Sequence, residues 1–305
     1  MSALLLLFAL AASTADSPPP ATAAGTWTPA PAGASTLLLL SGSDRGYIEP
    51  KHCWGRLGGT RYRGELARWL DETSPSLERL WLGTGNVVAT DQDDGSVAAE
   101  VIFEHLDSLG YSAVGVGPIE IRQLGPFRLR ELARRLSVPL LATNLRVHET
   151  GSSAFQEAMM LDTRAGKILV LAVLPHEPSR AWFDPKGGTI VTVDPQVAIR
   201  DVLERRGDEA DFVLLLSTLR QFEVHDLLEH LSGIDLVVAS DGQLGRRQPV
   251  FESGVPVQWV GGFGHILGRA FLGSPGGRLL ATDAVEVRGA FPIDPISGRR
   301  VDERP

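Results

Sequence analysis

The chain has 305 residues, 43% hydrophobic and 22% charged, with 29 Lys plus Arg against 37 Asp plus Glu and a formal charge of −8. Such a composition closes one large core or two small ones and excludes a disordered chain or a multi-span membrane bundle. The acidic balance argues against a nucleic-acid partner, and the lone Cys53 rules out an internal disulfide or a thiolate zinc site.

Residues 3–12 read ALLLLFALAA, an apolar run of export-signal length, with small residues at Ala11, Ala12, Ser13 and Ala15 for a signal peptidase. Residues 1–16 are therefore read as a signal peptide and the mature protein as secreted or periplasmic; a buried N-terminal helix is the alternative. Residues 17–34 are rich in Pro, Ala, Thr and Gly and form a linker. The folded domain is expected over 35–289, followed by a tail over 290–305. Within it, the runs 37–40 (LLLL), 80–82, 113–116, 168–174, 212–216 and 234–239 are short and nearly uncharged, as strands buried on both faces are. Segments 96–109, 126–136, 195–206 and 223–231 have helical spacing, with Pro126 and Pro195 as first-turn residues. After Val255 the pattern becomes strands joined by hairpins. The fold class is α/β.

In open α/β sheets, ligands bind beyond the carboxyl ends of the strands. Those positions hold SGSDRGYIEP at 41–50, GTGN at 83–86, GPIE at 117–120, Thr143-Asn144, Ser217-Thr218 and Ala239-Ser240-Asp241-Gly242. Together with RLGG at 56–59, LGYSAVGVG at 109–117, PLLATNL at 139–145 and LGRAFL at 267–272, this series resembles the calcineurin-like metallophosphoesterases, in particular the bacterial 5'-nucleotidase and sugar-nucleotide hydrolase branch. Order and spacing agree from residue 37 to 289.

The resemblance implies a metallophosphoesterase-like sandwich of two mixed sheets flanked by helices, without the nucleotide-specificity domain that follows it in full-length 5'-nucleotidases. It also implies a two-metal site built from Asp-x-His, Gly-Asp, Gly-Asn-His-Glu and later His loops. Here those motif positions hold Ser43 and Arg45, Asn86, Pro118 and Ile119 before the one kept Glu120, then Thr218, Ser240 and Gly242. A fixed cation at Arg45 repels a metal, and Ile119 has neither proton nor lone pair to offer. The expected protein is a catalytically inactive homologue acting by ligand or protein binding, with no cofactor. The alternative is an active phosphoesterase hydrolysing nucleotides or phosphate monoesters through a non-standard site with a divalent metal pair.

The candidate binding residues of the cleft are Arg45, Asn86, Glu120, Asn144 and Asp241, with no catalytic residue and no metal ligand assigned. The partner classes are a small anionic ligand or an envelope protein. Arg45 either binds an anion or, as expected, pairs with Asp44, Asp241 or Glu120. Glu120 and Asp241 are expected to cap a helix or contact Arg45. His105, His225 and His230 are expected on solvated helix faces, and His148, His176 and His265 in loops. His52 with Cys53 is read as a surface imidazole and a loop thiol. No stable membrane span is expected in the mature chain.

Overall fold

Alternate side chains of a strand leave on opposite faces. In β1 (Ala34–Ser41), Leu37 and Leu39 face one way and Leu38 and Leu40 the other, yet all four are fully buried. Such a strand needs cover on both sides, and the architecture follows from that requirement. The computed structural model describes residues 29–49, 58–90, 98–184, 188–241 and 245–287. The expected signal peptide, most of the linker, His52 with Cys53, Gly242 and the C-terminal tail lie outside the described residues.

After β1 the chain forms α1 (Arg63–Thr73), β2 (Glu78–Gly83), α2 (Ala99–Ser108), β3 (Tyr111–Gly115), α3 (Pro118–Ala133), β4 (Leu140–Leu141) and β5 (Leu145–Val147). It continues through β6 (Ala158–Thr163), β7 (Gly166–Val173), β8 (Ala181–Asp184), β9 (Gly188–Thr192), α4 (Pro195–Arg206), β10 (Phe212–Ser217), α5 (Gln221–His230) and β11 (Leu236–Ala239). Four strands close it: β12 (Val250–Glu252), β13 (Val255–Trp259), β14 (Ile266–Gly273) and β15 (Arg278–Glu286). One six-stranded sheet has the order β15-β14-β1-β2-β3-β4 and the other β12-β13-β11-β10-β7-β6. Both are mixed: the first is antiparallel through β15, β14 and β1 and parallel from β1 to β4, and the second has a parallel centre with antiparallel β12 and β6 at its margins.

The sheets pack face to face through Leu38, Leu40 and Leu82 of the first and Val170, Leu214, Leu216 and Val238 of the second. Helices α1, α2 and α3 cover the outer face of the first sheet, where Leu70, Ile102, Phe103 and Leu129 meet Leu37 and Leu39. Helices α4 and α5 cover the second, through Ile199, Val202, Val224 and Leu228. The result is the expected sandwich of two mixed sheets flanked by helices, with a small antiparallel sheet, β5-β9-β8, added beside it.

Each of the six apolar runs is a strand and each helical segment a helix. Helix α3 begins earlier than its spacing suggests, at Pro118, and breaks at Gly125 (φ 69°, ψ 155°), so Pro126 does open a helical turn after the kink. Parallel registers set Ser41 beside Gly83 and Ser217 beside both Val173 and Ala239, which brings the carboxyl ends of the strands to one edge of the sandwich. No helix among the described residues is long and apolar enough to cross a membrane.

Candidate functional site

At the end of β1 the chain turns inward rather than toward solvent. The Asp44 carboxylate is fully buried, and Arg63 in the first turn of α1 reaches it with two bonds, Nη2 to Oδ1 at 2.6 Å and Nη1 to Oδ2 at 2.9 Å. Arg63 Nη1 also donates to the Tyr111 hydroxyl at 2.7 Å, which lies 2.8 Å from Ser41 Oγ. Burial disfavours a charged guanidinium, but the facing Asp44 and Tyr111 outweigh it, and the Arg63 pKa is raised. Burial also pushes the Tyr111 hydroxyl up to about 12. The pair is thus a structural element inside the core, where each charge depends on the other.

Arg45 does not take the ion pair expected for it with Asp44 or Glu120, because both carboxylates are already occupied by other donors. It is half-buried, and its guanidinium lies 5.3 Å from the centroid of the Phe263 ring, which Tyr47 meets edge-on at 5.4 Å. Ser43, Arg45, Asn86 and Phe263 have φ values of 51°, 50°, 56° and 60°, so four of the five non-glycine residues with positive φ among the described residues lie around this one edge. Backbone held in that region is sustained only by surrounding contacts, and it clusters at functional sites.

Glu120 is one such contact. Its fully buried carboxylate accepts from the amides of Asn86 (2.9 Å), Val87 (2.6 Å), Val88 (3.1 Å) and Gly117 (2.8 Å). Asn86 Oδ1 in return accepts from the Ile119 amide at 3.2 Å. Burial raises the Glu120 pKa while the amides oppose that shift. The expected helix cap is present, since Gly117 is the N-cap of α3. Asn144, also fully buried, bridges backbone: Nδ2 donates to the carbonyls of Leu174 and Val193, and Oδ1 accepts from the Leu174 amide. It ties strand ends together, with both side-chain amide atoms bonded to backbone. Asp241 is half-buried just beyond β11.

Between the two sheets, Thr84 Oγ1 and Ser240 Oγ are hydrogen-bonded at 2.6 Å. They lie so close over Gly42 that a Cβ there would meet Thr84 Oγ1 at 1.9 Å. Ser43, Thr218 and Ser240, at positions where the resemblance places metal ligands, are all buried hydroxyls. Two divalent ions about 3.5–4 Å apart need several carboxylate or imidazole donors with free lone pairs. Among the described residues of this edge, both Asp44 oxygens face a guanidinium, both Glu120 oxygens face amides, and Asn86 and Asn144 spend their side-chain oxygens on backbone. These residues do not fit a two-metal centre.

Arg63 and Tyr111 were invisible to motif reading. The available signal was the helical stripe of Tyr62, Leu66 and Leu70, on which Arg63 occupies a buried position that demands a buried partner. His105 is half-buried beside this network and not solvated as expected; burial lowers its pKa. His225 and His230 are exposed on α5 as expected. His225 Nδ1 lies 2.7 Å from Glu252 on β12, and Glu229 is at 3.2 Å from Nε2. Hydrogen bonding to Glu252 and then the Glu229 charge raise the His225 pKa. A raised folded-state pKa adds stability that is complete below the unfolded value and disappears as pH climbs through the folded one. The difference in urea midpoint between wild type and His225→Gln is therefore expected to be larger at about pH 5.5 than at about pH 9. An equal difference at both would remove the charged contact between α5 and β12.

No protein-family model and no curated protein matches the sequence. Solved structures do. A 5'-nucleotidase precursor from Thermus thermophilus aligns over 83% of this chain and 54% of its own, with 16% identity and a TM-score of 0.64. The calcineurin-like phosphoesterase YfkN from Bacillus subtilis aligns over 83% and 91%, at 16% identity and 0.63. The sulfate thiohydrolase SoxB from Thermus thermophilus aligns over 86% and 58%, at 13% identity and 0.70. The chain spans about half the length of that 5'-nucleotidase precursor. At these identities the likeness concerns architecture, and the chain has the fold of the calcineurin-like metallophosphoesterases and 5'-nucleotidases.

Proposed function

We propose that this protein binds rather than hydrolyses: an exported domain of phosphoesterase fold, without a working metal pair, whose strand-end cleft offers Arg45 to a small anionic ligand. The observation that carries this reading is the commitment of the two fully buried strand-end carboxylates, Asp44 to Arg63 and Glu120 to four amides, so that neither is open to a pair of divalent ions. A guanidinium held against an aromatic ring is a pre-ordered anion receptor, and Arg45 has that arrangement over Phe263. Export is supported by the apolar run over residues 3–12 and the small residues that follow it.

Metal analysis of protein purified and incubated with Mn²⁺ and Zn²⁺ should find well under one ion per chain, with no turnover of p-nitrophenyl phosphate or 5'-AMP. Inorganic phosphate should raise the unfolding temperature of wild type and not of Arg45→Ala. A stoichiometric metal pair with hydrolysis would overturn the binding reading. Equal stabilisation of both proteins by phosphate would remove Arg45 from it.

A further inference from the structure

A cavity of about 370 Å³ opens on the helical side of the second sheet, between the N-termini of α4 and α5 and just beyond the carboxyl end of β10. Its volume falls at the low end of the range for small-ligand sites, roughly 300–1,000 Å³. The lining has two parts. Leu219 and Leu227, both 3% exposed, form an apolar base with Pro195, while Phe222 stands at the rim and is 64% exposed. The polar remainder is Asp194, Glu223 and Asp226 with Gln196 and His176, and it includes no Lys or Arg.

Two of the carboxylates have a structural task as well. Asp194 accepts from the Gln196 amide at 2.7 Å and Glu223 from the Arg220 amide at 2.7 Å, which offsets the positive ends of the two helices. Each helix end contributes only about half a positive charge against a full negative one, and Asp226 adds a third carboxylate, so the cavity stays net negative. Two basic side chains flank it without lining it: His230 Nδ1 lies 3.8 Å from Asp226, and the Arg220 guanidinium lies 6.0 Å from the Phe222 centroid. An anion would meet like charge here. A bare metal ion would gain nothing from the leucines or from Phe222.

We propose that this cavity is a binding site for a small organic cation with an apolar body, its ammonium or amidinium group facing Glu223 and Asp226 and its apolar part covering Leu219, Leu227 and the Phe222 ring. The chemistry joins charge neutralisation, a cation near an aromatic face, and removal of exposed phenyl surface from water. The site is independent of the strand-end reading and stands or falls separately.

The test is a titration of the full chain with benzamidine, with benzyl alcohol and inorganic phosphate as neutral and anionic comparators, followed by amide NMR shifts and calorimetry. Benzamidine should bind saturably, with shifts centred on Leu219, Phe222 and Leu227, at least about tenfold more tightly than benzyl alcohol. Asp226→Asn and Phe222→Ala should each weaken it by about fivefold or more while leaving the unfolding temperature unchanged, since both side chains are exposed. No saturation by about 10 mM, equal binding of benzyl alcohol, preference for phosphate, or an Asp226→Asn variant that binds as wild type would each overturn the proposal.

Discussion

Arg63→Met is expected to lower the stability of the folded chain by about 3–5 kcal/mol, because it leaves the Asp44 carboxylate inside the core with its charge uncompensated. The side chain removed is 1% exposed and supplies both bonds to Asp44 and one to Tyr111. The cost arises from the stranded partner more than from the lost attraction, which the double variant Asp44→Asn/Arg63→Met can show. With the charge gone from both sides, that protein should be more stable than Arg63→Met alone, so the two substitutions should be strongly non-additive in urea unfolding. A chelator should leave the wild-type unfolding midpoint where it was. If Arg63→Met costs less than about 1 kcal/mol, or the second substitution brings no recovery, Asp44 is not held in the way its geometry describes.

That pair also marks where sequence reading stopped. Strands such as β1 and β10 were legible because a short uncharged run bounded by turn residues has few other ways to bury every side chain. Their ends were legible for the same reason, and Arg45, Asn86, Glu120, Asn144 and Asp241 do gather along or just behind one edge of the sandwich. Helix α1 was missed because its apolar stripe is interrupted by Arg63, which reads as surface until the Asp44 carboxylate, 19 positions earlier, is brought to meet it. Strands β8 and β9 were missed because they are short and form a small sheet with exposed positions, such as Phe183.

The roles of the edge residues were harder to read than their location. Asn144 looked like an oxygen donor for a ligand, but its partners are carbonyls and an amide from segments 30 and 49 residues away. Arg45 looked like the natural partner of a neighbouring carboxylate, yet Asp44 was already satisfied from the opposite side. A list of strand-end residues gives the available chemistry. Which lone pairs remain free depends on backbone groups that only folding brings close, and at this edge the backbone and Arg63 take most of them.

Glu120 carries the same argument to the second fully buried carboxylate of this edge. Glu120→Ala is expected to cost about 4 kcal/mol or more, because four buried amides lose their acceptor at once and each unpaired group costs about 1–3 kcal/mol before relaxation. Glu120→Gln keeps one oxygen but turns an NH₂ group toward donors, so a smaller loss of about 2–3 kcal/mol is expected. The two variants separate a latch from a bystander because the damage should be local first. Residues 84–88 are joined to the start of α3 by three hydrogen bonds, from the amides of Asn86, Val87 and Val88 to Glu120, and by the Ile119 amide donating to Asn86 Oδ1, and Asn86 holds φ at 56° within that clasp. In Glu120→Gln the amides of Asn86, Val87, Val88 and Gly117 should exchange with solvent deuterium much faster than in wild type, while those of β10 and β11 in the other sheet keep their protection. Unchanged exchange at the four amides would mean that their protection comes from burial alone. Selective loss would mean that the Glu120 carboxylate serves to fasten two strand ends, a structural task that needs no metal beside it.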